Sequence, residues 1–178
     1  MRVTTGKYRG RKLIDNKFEH IRPTADVVKQ AIFNKLNFEV QDSIILDLFC
    51  GTGALGIEGL SRGAGEVVFA DKDLRSINLT KNNLKNLGIT ENFKVITGDY
   101  KRVISMLEGK KFDIILLDPP YQSGVYEDAI KRIYESKLLS ENGVVVCEYA
   151  QKDKYDFSPF SVIDEKVYGI KKVSYLKY

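Results

Sequence analysis

The sequence predicts an α/β domain: a doubly wound, mostly parallel seven-stranded sheet with an antiparallel C-terminal hairpin and a small basic N-terminal β-hairpin. Three observations predict it. From Ser43 to Glu148, short runs rich in branched apolar residues alternate with amphipathic stretches, the pattern of βα units feeding a parallel sheet. The last two such runs meet at Tyr168-Gly169-Ile170, a turn that joins antiparallel strands. A length of 178 residues suits one domain with a full core, with no linker and no low-complexity tract.

The chain opens on charge. Six cations stand between Met1 and Lys17 against Asp15 alone, a local net charge of +5, whereas the whole chain carries +4. Lys7-Tyr8-Arg9 followed by Gly10-Arg11-Lys12-Leu13-Ile14 predicts a short hairpin rather than a tail. Residues 1–20 are thus a basic extension to a domain spanning 21–178. Thr24 is the expected N-cap of a helix over Ala25–Phe38, where Val27, Val28, Ala31, Ile32 and Leu36 recur at helical spacing. Ser43–Leu48 is the first strand and Ala54–Arg62 its helix. Glu66–Ala70 is the second strand, and Leu74–Leu87 follows, stopped by Gly88 as a C-cap, with Asp73 as its N-cap. Phe93–Thr97 is the third strand, with a short helix over Tyr100–Leu107. Phe112–Leu117 is the fourth, with a helix over Tyr126–Ser136, and Gly143–Glu148 is the fifth. Ser161–Val167 and Lys171–Lys177 form the closing hairpin.

Composition narrows the function classes. The apolar runs reach about four residues, far short of the ~20 that span a bilayer. Met1-Arg2-Val3-Thr4-Thr5-Gly6 has no apolar core of the signal-peptide kind, so a cytoplasmic location is expected. Cys50 and Cys147 stand apart with no ligand spacing around them and read as buried apolar residues. His20 is the lone histidine, which leaves no material for a histidine-based metal site, and no metal is expected.

Two stretches carry chemistry. Asp47-Leu48-Phe49-Cys50-Gly51-Thr52-Gly53, with Gly56, spells the G-x-G-x-x-G dinucleotide pattern, and Asp71 follows at the end of the second strand. Charge argues against a dinucleotide. Its pyrophosphate would lie at the glycine loop and helix N-terminus, close to the Asp47 carboxylate, where like charges repel. S-adenosylmethionine carries an ammonium and a sulfonium instead, so Asp47 attracts it. Gly51 and Gly53 let the backbone approach the ligand, and Asp71 suits the ribose hydroxyls. Asp99, ending the third strand, either hydrogen-bonds on the adenine side or caps the helix from Tyr100.

The second stretch is Asp118-Pro119-Pro120-Tyr121, after the apolar strand Phe112–Leu117. Prolines donate no backbone hydrogen bond and force the preceding residue into extended conformations. The result is a stiff loop at the carboxyl end of a strand, where open α/β sheets place ligands. Asp118 and the Pro119 carbonyl can accept both hydrogens of an exocyclic amino group while its ring stacks on Tyr121.

These residues resemble a class I (Rossmann-like) S-adenosylmethionine-dependent methyltransferase: Asp47 to Gly53 is similar to that group's first motif, with Phe49 inside it, and Asp118 to Tyr121 to its amino-methylating fourth motif. More narrowly, the chain is similar throughout to the RsmD family of bacterial small-subunit (16S) rRNA guanine-N2 methyltransferases. Arg2 to Leu13 resembles that family's R-I-x-G-G-x-x-R-G-R-x-L start, and Arg22-Pro23-Thr24 with Val28 and Ala31-Ile32-Phe33-Asn34 its R-P-T helix. Thr5 stands where the family usually has glycine, Lys29 where it has arginine, and Asp71 where it often has glutamate. The resemblance implies catalysis by Asp118, Pro119 and Tyr121. It also implies S-adenosylmethionine held by Asp47, Phe49, Gly51, Gly53, Asp71, Asp99 and Asp118. The implied partner is 16S rRNA, free or in an assembling small ribosomal subunit, and nothing demands more than a monomer. A basic segment with an interleaved aromatic ring is what phosphate backbones require, and Lys7, Arg9, Arg11, Lys12 and Arg22 are the expected RNA contacts. The competing readings are an N-methyltransferase for another amino group, such as adenine N6 of RNA or DNA, and an NAD-dependent oxidoreductase.

Overall fold

The computed structural model describes residues 1–15, 23–119 and 124–178. Among them, seven strands make one sheet in the order β3-β2-β1-β4-β5-β7-β6. β1 (Ile44–Asp47), β2 (Glu66–Asp71), β3 (Phe93–Thr97), β4 (Phe112–Leu117) and β5 (Leu139–Ala150) run parallel, and β7 (Lys171–Lys177) lies antiparallel between β5 and β6 (Ser161–Tyr168). The predicted class holds. Successive strands step one way from β1 to β3 and the other way from β4 to β5. The switch point is therefore the crevice beyond the carboxyl ends of β1 and β4, where doubly wound sheets bind ligands. Asp47 stands opposite Leu116 there, two residues before Asp118.

Helices cover both faces because the central strands are apolar on both sides. On one face α1 (Pro23–Leu36), α2 (Ala54–Ser61) and α3 (Leu74–Leu87) pack through Ile32, Phe33, Ile57, Ile77 and Leu84 onto Ile45, Phe69 and Ile114. On the other, α4 (Tyr100–Met106) and α5 (Val125–Glu135) pack through Val103, Ile104, Ile130 and Ile133 onto Leu46, Val68 and Ile115. The glycine at position 56 is explained here. A Cβ on it would sit 2.3 Å from the Phe69 ring, so α2 could not lie so close to β2.

Two boundaries differ from expectation. α1 starts at Pro23, so Thr24 lies inside the helix rather than capping it; proline with its fixed φ and missing N–H suits the first helical position. At its other end a short 3-10 turn, Asn37–Glu39, takes the place of the last predicted helical residues. β5 begins at Leu139 rather than Gly143 because Leu139 pairs with Phe112 across an irregularity in the β4–β5 register.

The basic N-terminal segment is a hairpin of a different register from that predicted. Val3 N–H bonds to Arg11 O and Leu13 N–H to Met1 O, so the arms are the ends of the segment and Lys7–Gly10 form the turn. Val3 and Leu13 are buried in the same core as α1 and α3, and the hairpin is part of the domain's packing. Its clamp is Glu58 on α2, fully buried, which accepts from Thr4 N–H at 2.9 Å, Thr4 Oγ1 at 2.6 Å, Thr5 N–H at 3.1 Å and Arg62 Nε at 3.0 Å. Buried Lys29 lies 3.4 Å from the same carboxylate and donates to the Arg2 carbonyl.

Candidate active site

The loop from Leu48 to Gly53 is held from three directions. Below it, Leu48 N–H bonds to Leu116 O and Cys50 N–H to Ala70 O, extending the sheet ladder by side steps. From α3, Thr80 Oγ1 donates to Gly51 O at 3.0 Å and Asn83 Nδ2 to Thr52 O at 2.9 Å. From β2, Asp71 Oδ2 accepts the Gly51 N–H at 3.0 Å while its Oδ1 accepts that of Asp73 at 2.9 Å. Gly51 and Gly53 take positive φ, 52° and 78°, which glycine adopts without Cβ strain. A Cβ at Gly51 would meet nothing within 4 Å, so the loop presents bare backbone to open space.

Asp47 lies beneath this loop. It is 2% exposed, and its Oδ2 accepts the Gly56 N–H at 2.9 Å. Burial lifts its carboxyl to about 7, with Asp71's charge adding to the rise and the Gly56 hydrogen bond opposing it. Proximity to the α2 N-terminus, where unsatisfied N–H groups concentrate positive potential, stabilises the anion that burial disfavours. Phe49 is half-buried and its ring lies 5.7 Å from that of Tyr100, the first residue of α4. Asp99 is exposed and accepts the Lys101 N–H at 3.0 Å, so it caps α4. Asp73 caps α3 in the same way, as expected.

Asp118 emerges exposed at the end of β4, and Pro119 behind it is buried. Lys171 Nζ stands 3.9 Å from Asp118 Oδ1 and 3.0 Å from Glu148 Oε1. Tyr126 from α5 donates through its hydroxyl to Leu117 O at 3.2 Å and to Glu148 O. Pro120, Tyr121, Arg22 and His20 lie outside the described residues. Of the expected RNA contacts, Lys7, Arg9 and Lys12 are exposed on the hairpin, Lys7 over the Tyr8 ring at 5.4 Å. The Arg11 guanidinium is engaged with Asn86 O at 2.9 Å. The hairpin meets α3 at Asn83, whose side chain accepts from Ile14 N–H and donates to Ile14 O as well as to Thr52 O.

The sequence and the fold have counterparts. The family model described as "Conserved hypothetical protein 95" matches residues 1–177. The chain belongs to this family. Ribosomal RNA small subunit methyltransferase D of Haemophilus influenzae is 36% identical over 182 residues, covering 100% of this chain and 93% of its own. The solved protein yhhF of Escherichia coli is 30% identical, with a TM-score of 0.86 over 99% of this chain and 97% of that one. SMU.776, solved complexed with SAH, shares the fold with a TM-score of 0.72 at 18% identity, over 89% of this chain and 50% of its own. The similarity to the RsmD family read from the motifs is borne out.

The family's motifs in this chain omit several residues that the geometry brings to the site. Thr80 and Asn83 interrupt the buried stripe Ile77, Leu84 and Leu87 of α3; a polar residue on an apolar helix face is a detectable signal, since burial obliges it to find a partner. Lys171 and Glu148 left no such trace, because a lysine at the start of a terminal strand is ordinary.

Proposed function

We propose that the protein methylates the exocyclic N2 amino group of a guanine in 16S rRNA. Methyl transfer to rRNA follows from the family and its relatives, and the cofactor is S-adenosylmethionine. Guanine, its N2 atom and the small-subunit RNA are the finer reading. The geometry supports an exocyclic amino group as acceptor, since Asp118 and Pro119 leave β4 at the switch point beside β1 with the carboxylate exposed; guanine N2 and the small-subunit RNA are supported by the similarity to the RsmD family and its relatives.

The residues fit the cofactor. The bare backbone at Gly51 leaves room for a ligand to lie close, whereas Gly53 is kept free of a Cβ by Thr80, which such an atom would meet at 2.8 Å. Each Asp71 oxygen accepts one backbone bond and retains a lone pair for a ribose hydroxyl. Asp47 serves from beneath the loop, where a ligand ammonium would draw its carboxyl into the ionised form. Phe49 and Asp99 line the side where adenine is expected. When bound, S-adenosylmethionine supplies a methyl group on a sulfonium, ready for attack by a nitrogen lone pair.

The rest is done by the chain. A guanine amino group is a poor nucleophile because its lone pair is delocalised into the ring. In-line attack also needs the base out of its stack. Asp118 and the Pro119 carbonyl would accept the two N2 hydrogens, favouring a more tetrahedral nitrogen with its lone pair exposed, while Tyr121 would hold the ring by stacking. The acceleration comes mainly from positioning, with Asp118 offsetting the positive charge that grows on nitrogen. Backbone contacts to the RNA fall to the exposed hairpin cations Lys7, Arg9 and Lys12, joined by Arg11 and Arg22.

The test is incubation of the protein with methyl-tritiated S-adenosylmethionine and either 16S rRNA or small ribosomal subunits, followed by digestion to nucleosides. Label in N2-methylguanosine is the expected result. Label in N6-methyladenosine, or no label in either substrate, would overturn the guanine and small-subunit reading, and comparing the two substrates identifies the form the enzyme takes.

A further inference from the structure

Lys171 belongs to none of the motifs, yet it is the residue that ties the sheet's far half to Asp118. It opens β7 and lies opposite Ala150 of β5, while Glu148 lies opposite Val173. Lys171 and Glu148 are therefore diagonal neighbours across an antiparallel pair, a spacing that long side chains bridge. The lysine is mostly buried and Glu148 more so, with 23% and 12% of their side chains exposed, against 41% for Asp118. One ammonium thus sits between two carboxylates, 3.0 Å from Glu148 and 3.9 Å from Asp118.

From this geometry we infer that Lys171 is a positioning residue for methyl transfer, holding the Asp118 carboxylate ionised and aimed at the substrate amino group, with Glu148 setting how strongly it does so. The inference rests on the methyl-transfer reading of Asp118. Charge gives it physical sense. A lone lysine beside Asp118 would cancel the negative charge that the substrate nitrogen needs as it turns cationic. With Glu148 sharing the ammonium, the three groups keep one net negative charge facing a cationic cofactor. The lysine still supplies a nearby positive charge that favours the ionised carboxylate.

Among the described residues, the other titratable groups brought to this cluster are two phenols and the buried Cys147 thiol of β5, which burial keeps protonated. Tyr126 comes from α5, its hydroxyl on the carbonyls of Leu117 and Glu148. Tyr155 follows β5, its ring 4.5 Å from that of Tyr126. Burial first, then the surrounding acidic groups Cys147, Asp118 and Glu148, hold the Tyr126 hydroxyl protonated well above the usual range; among the described residues, Lys171 and Glu148 are the charged groups of this cluster beside Asp118.

The experiment measures kcat against pH, with 16S rRNA and S-adenosylmethionine both saturating, for wild type, Lys171→Met and Lys171→Arg, alongside cofactor affinity and melting temperature. Lys171→Met is expected to lower kcat by about ten- to a hundredfold, the upper figure being what misplacing a contact group by about 1 Å can cost. Its acid limb should move about one pH unit higher, because a carboxylate that loses a nearby cation gains a proton more readily. Cofactor affinity should hold, and Lys171→Arg should restore both rate and limb. An acid limb that stays at the wild-type pH in Lys171→Met overturns the inference, as does a limb that Arg fails to restore while both variants melt normally. If Met at 171 costs folding, Glu148→Gln decides the point. Removing the competing anion moves the limb to lower pH, and an unmoved limb overturns the proposal. Failure of the underlying reading looks different, since wild type would then transfer no methyl group to guanine at any pH.

Discussion

Asp118 and Asp47 sit at the ends of adjacent strands and are opposite in environment. Asp118 is exposed beside a lysine, and its proposed work is done on the substrate. Asp118→Ala is therefore expected to lower turnover ~100-fold or more, the scale of a lost transition-state contact, with cofactor affinity kept; titration calorimetry alongside methylation rates checks both halves. A loss of cofactor binding equal to the loss of rate would move Asp118 from catalysis to binding. Asp47 is the reverse, a buried acid held by a backbone N–H. Its carboxyl is raised from 3.8 to about 7 by burial. Between those values the unfolded chain has released the proton that the folded chain keeps, so stability falls as pH rises through that window. Asn at this position keeps an acceptor for the Gly56 N–H and cannot ionise. Asp47→Asn should therefore gain on wild type as pH climbs from about 4 to about 7, by up to ~1.4 kcal/mol per pH unit. Urea unfolding without cofactor, repeated across that range, reads it directly, and parallel curves for the two proteins would remove Asp47 as the cause.

Between elements, the decisive joint is α2. It carries Gly56, which lets it lie on β2, and Glu58, which gathers the N-terminal hairpin, Arg62 and Lys29. Just before the hairpin's turn, Gly6 has φ of 85° and a Cβ there would lie 1.7 Å from the Ser61 carbonyl oxygen, so hairpin and helix touch backbone to backbone. Cutting the carboxylate away leaves Lys29 and Arg62 without their buried counter-charge. Glu58→Ala is expected to cost ~3–5 kcal/mol, as breaking a buried pair does, and to expose the hairpin before the rest of the domain melts. Chemical unfolding gives the first quantity and tryptic cleavage after Lys7 or Arg9 the second. Thr5 stands where the family usually has glycine; in this chain its backbone N–H and its Oγ1 both join the cluster, to Glu58 and Arg62.

At the scale of the whole molecule, the basic hairpin and the glycine loop are not independent. Asn83 hydrogen-bonds Ile14 on one side and Thr52 on the other, so the two surfaces are fixed to the same turn of α3. Under the proposed function this sets the distance between RNA backbone and methyl donor. Neutralising Arg9, Arg11 and Lys12 together is expected to weaken rRNA binding. The slope of log affinity against log salt should flatten by roughly two, since fewer counterions are released. Arg11 contributes least because its guanidinium is held on Asn86 O. Cofactor affinity should not change. Filter binding over a salt series tests this, and a slope that survives the triple change would leave the hairpin with a structural role only.

The sequence by itself determined the alternation of strands and helices, the place of both site loops after β1 and β4, and the caps at Asp73 and Gly88. All of these are written within a few neighbouring residues, where period, glycine and proline act through local sterics. Where local chemistry misled, a distant partner had overruled it. The fifth strand is expected from Gly143, yet Leu139 pairs with Phe112 and draws Ser140-Glu141-Asn142 into β5. Lys7-Tyr8-Arg9 alternates like a strand, yet its backbone turns because Lys7 N–H reaches the Ser61 carbonyl of α2. Only the tertiary structure decided that Asp71 braces the glycine loop, that Asp47 is a buried acid beneath it, and that Lys171 reaches Asp118. Each of those depends on which strands become neighbours, and a carboxylate's surroundings in a parallel sheet come from residues that the chain places far apart.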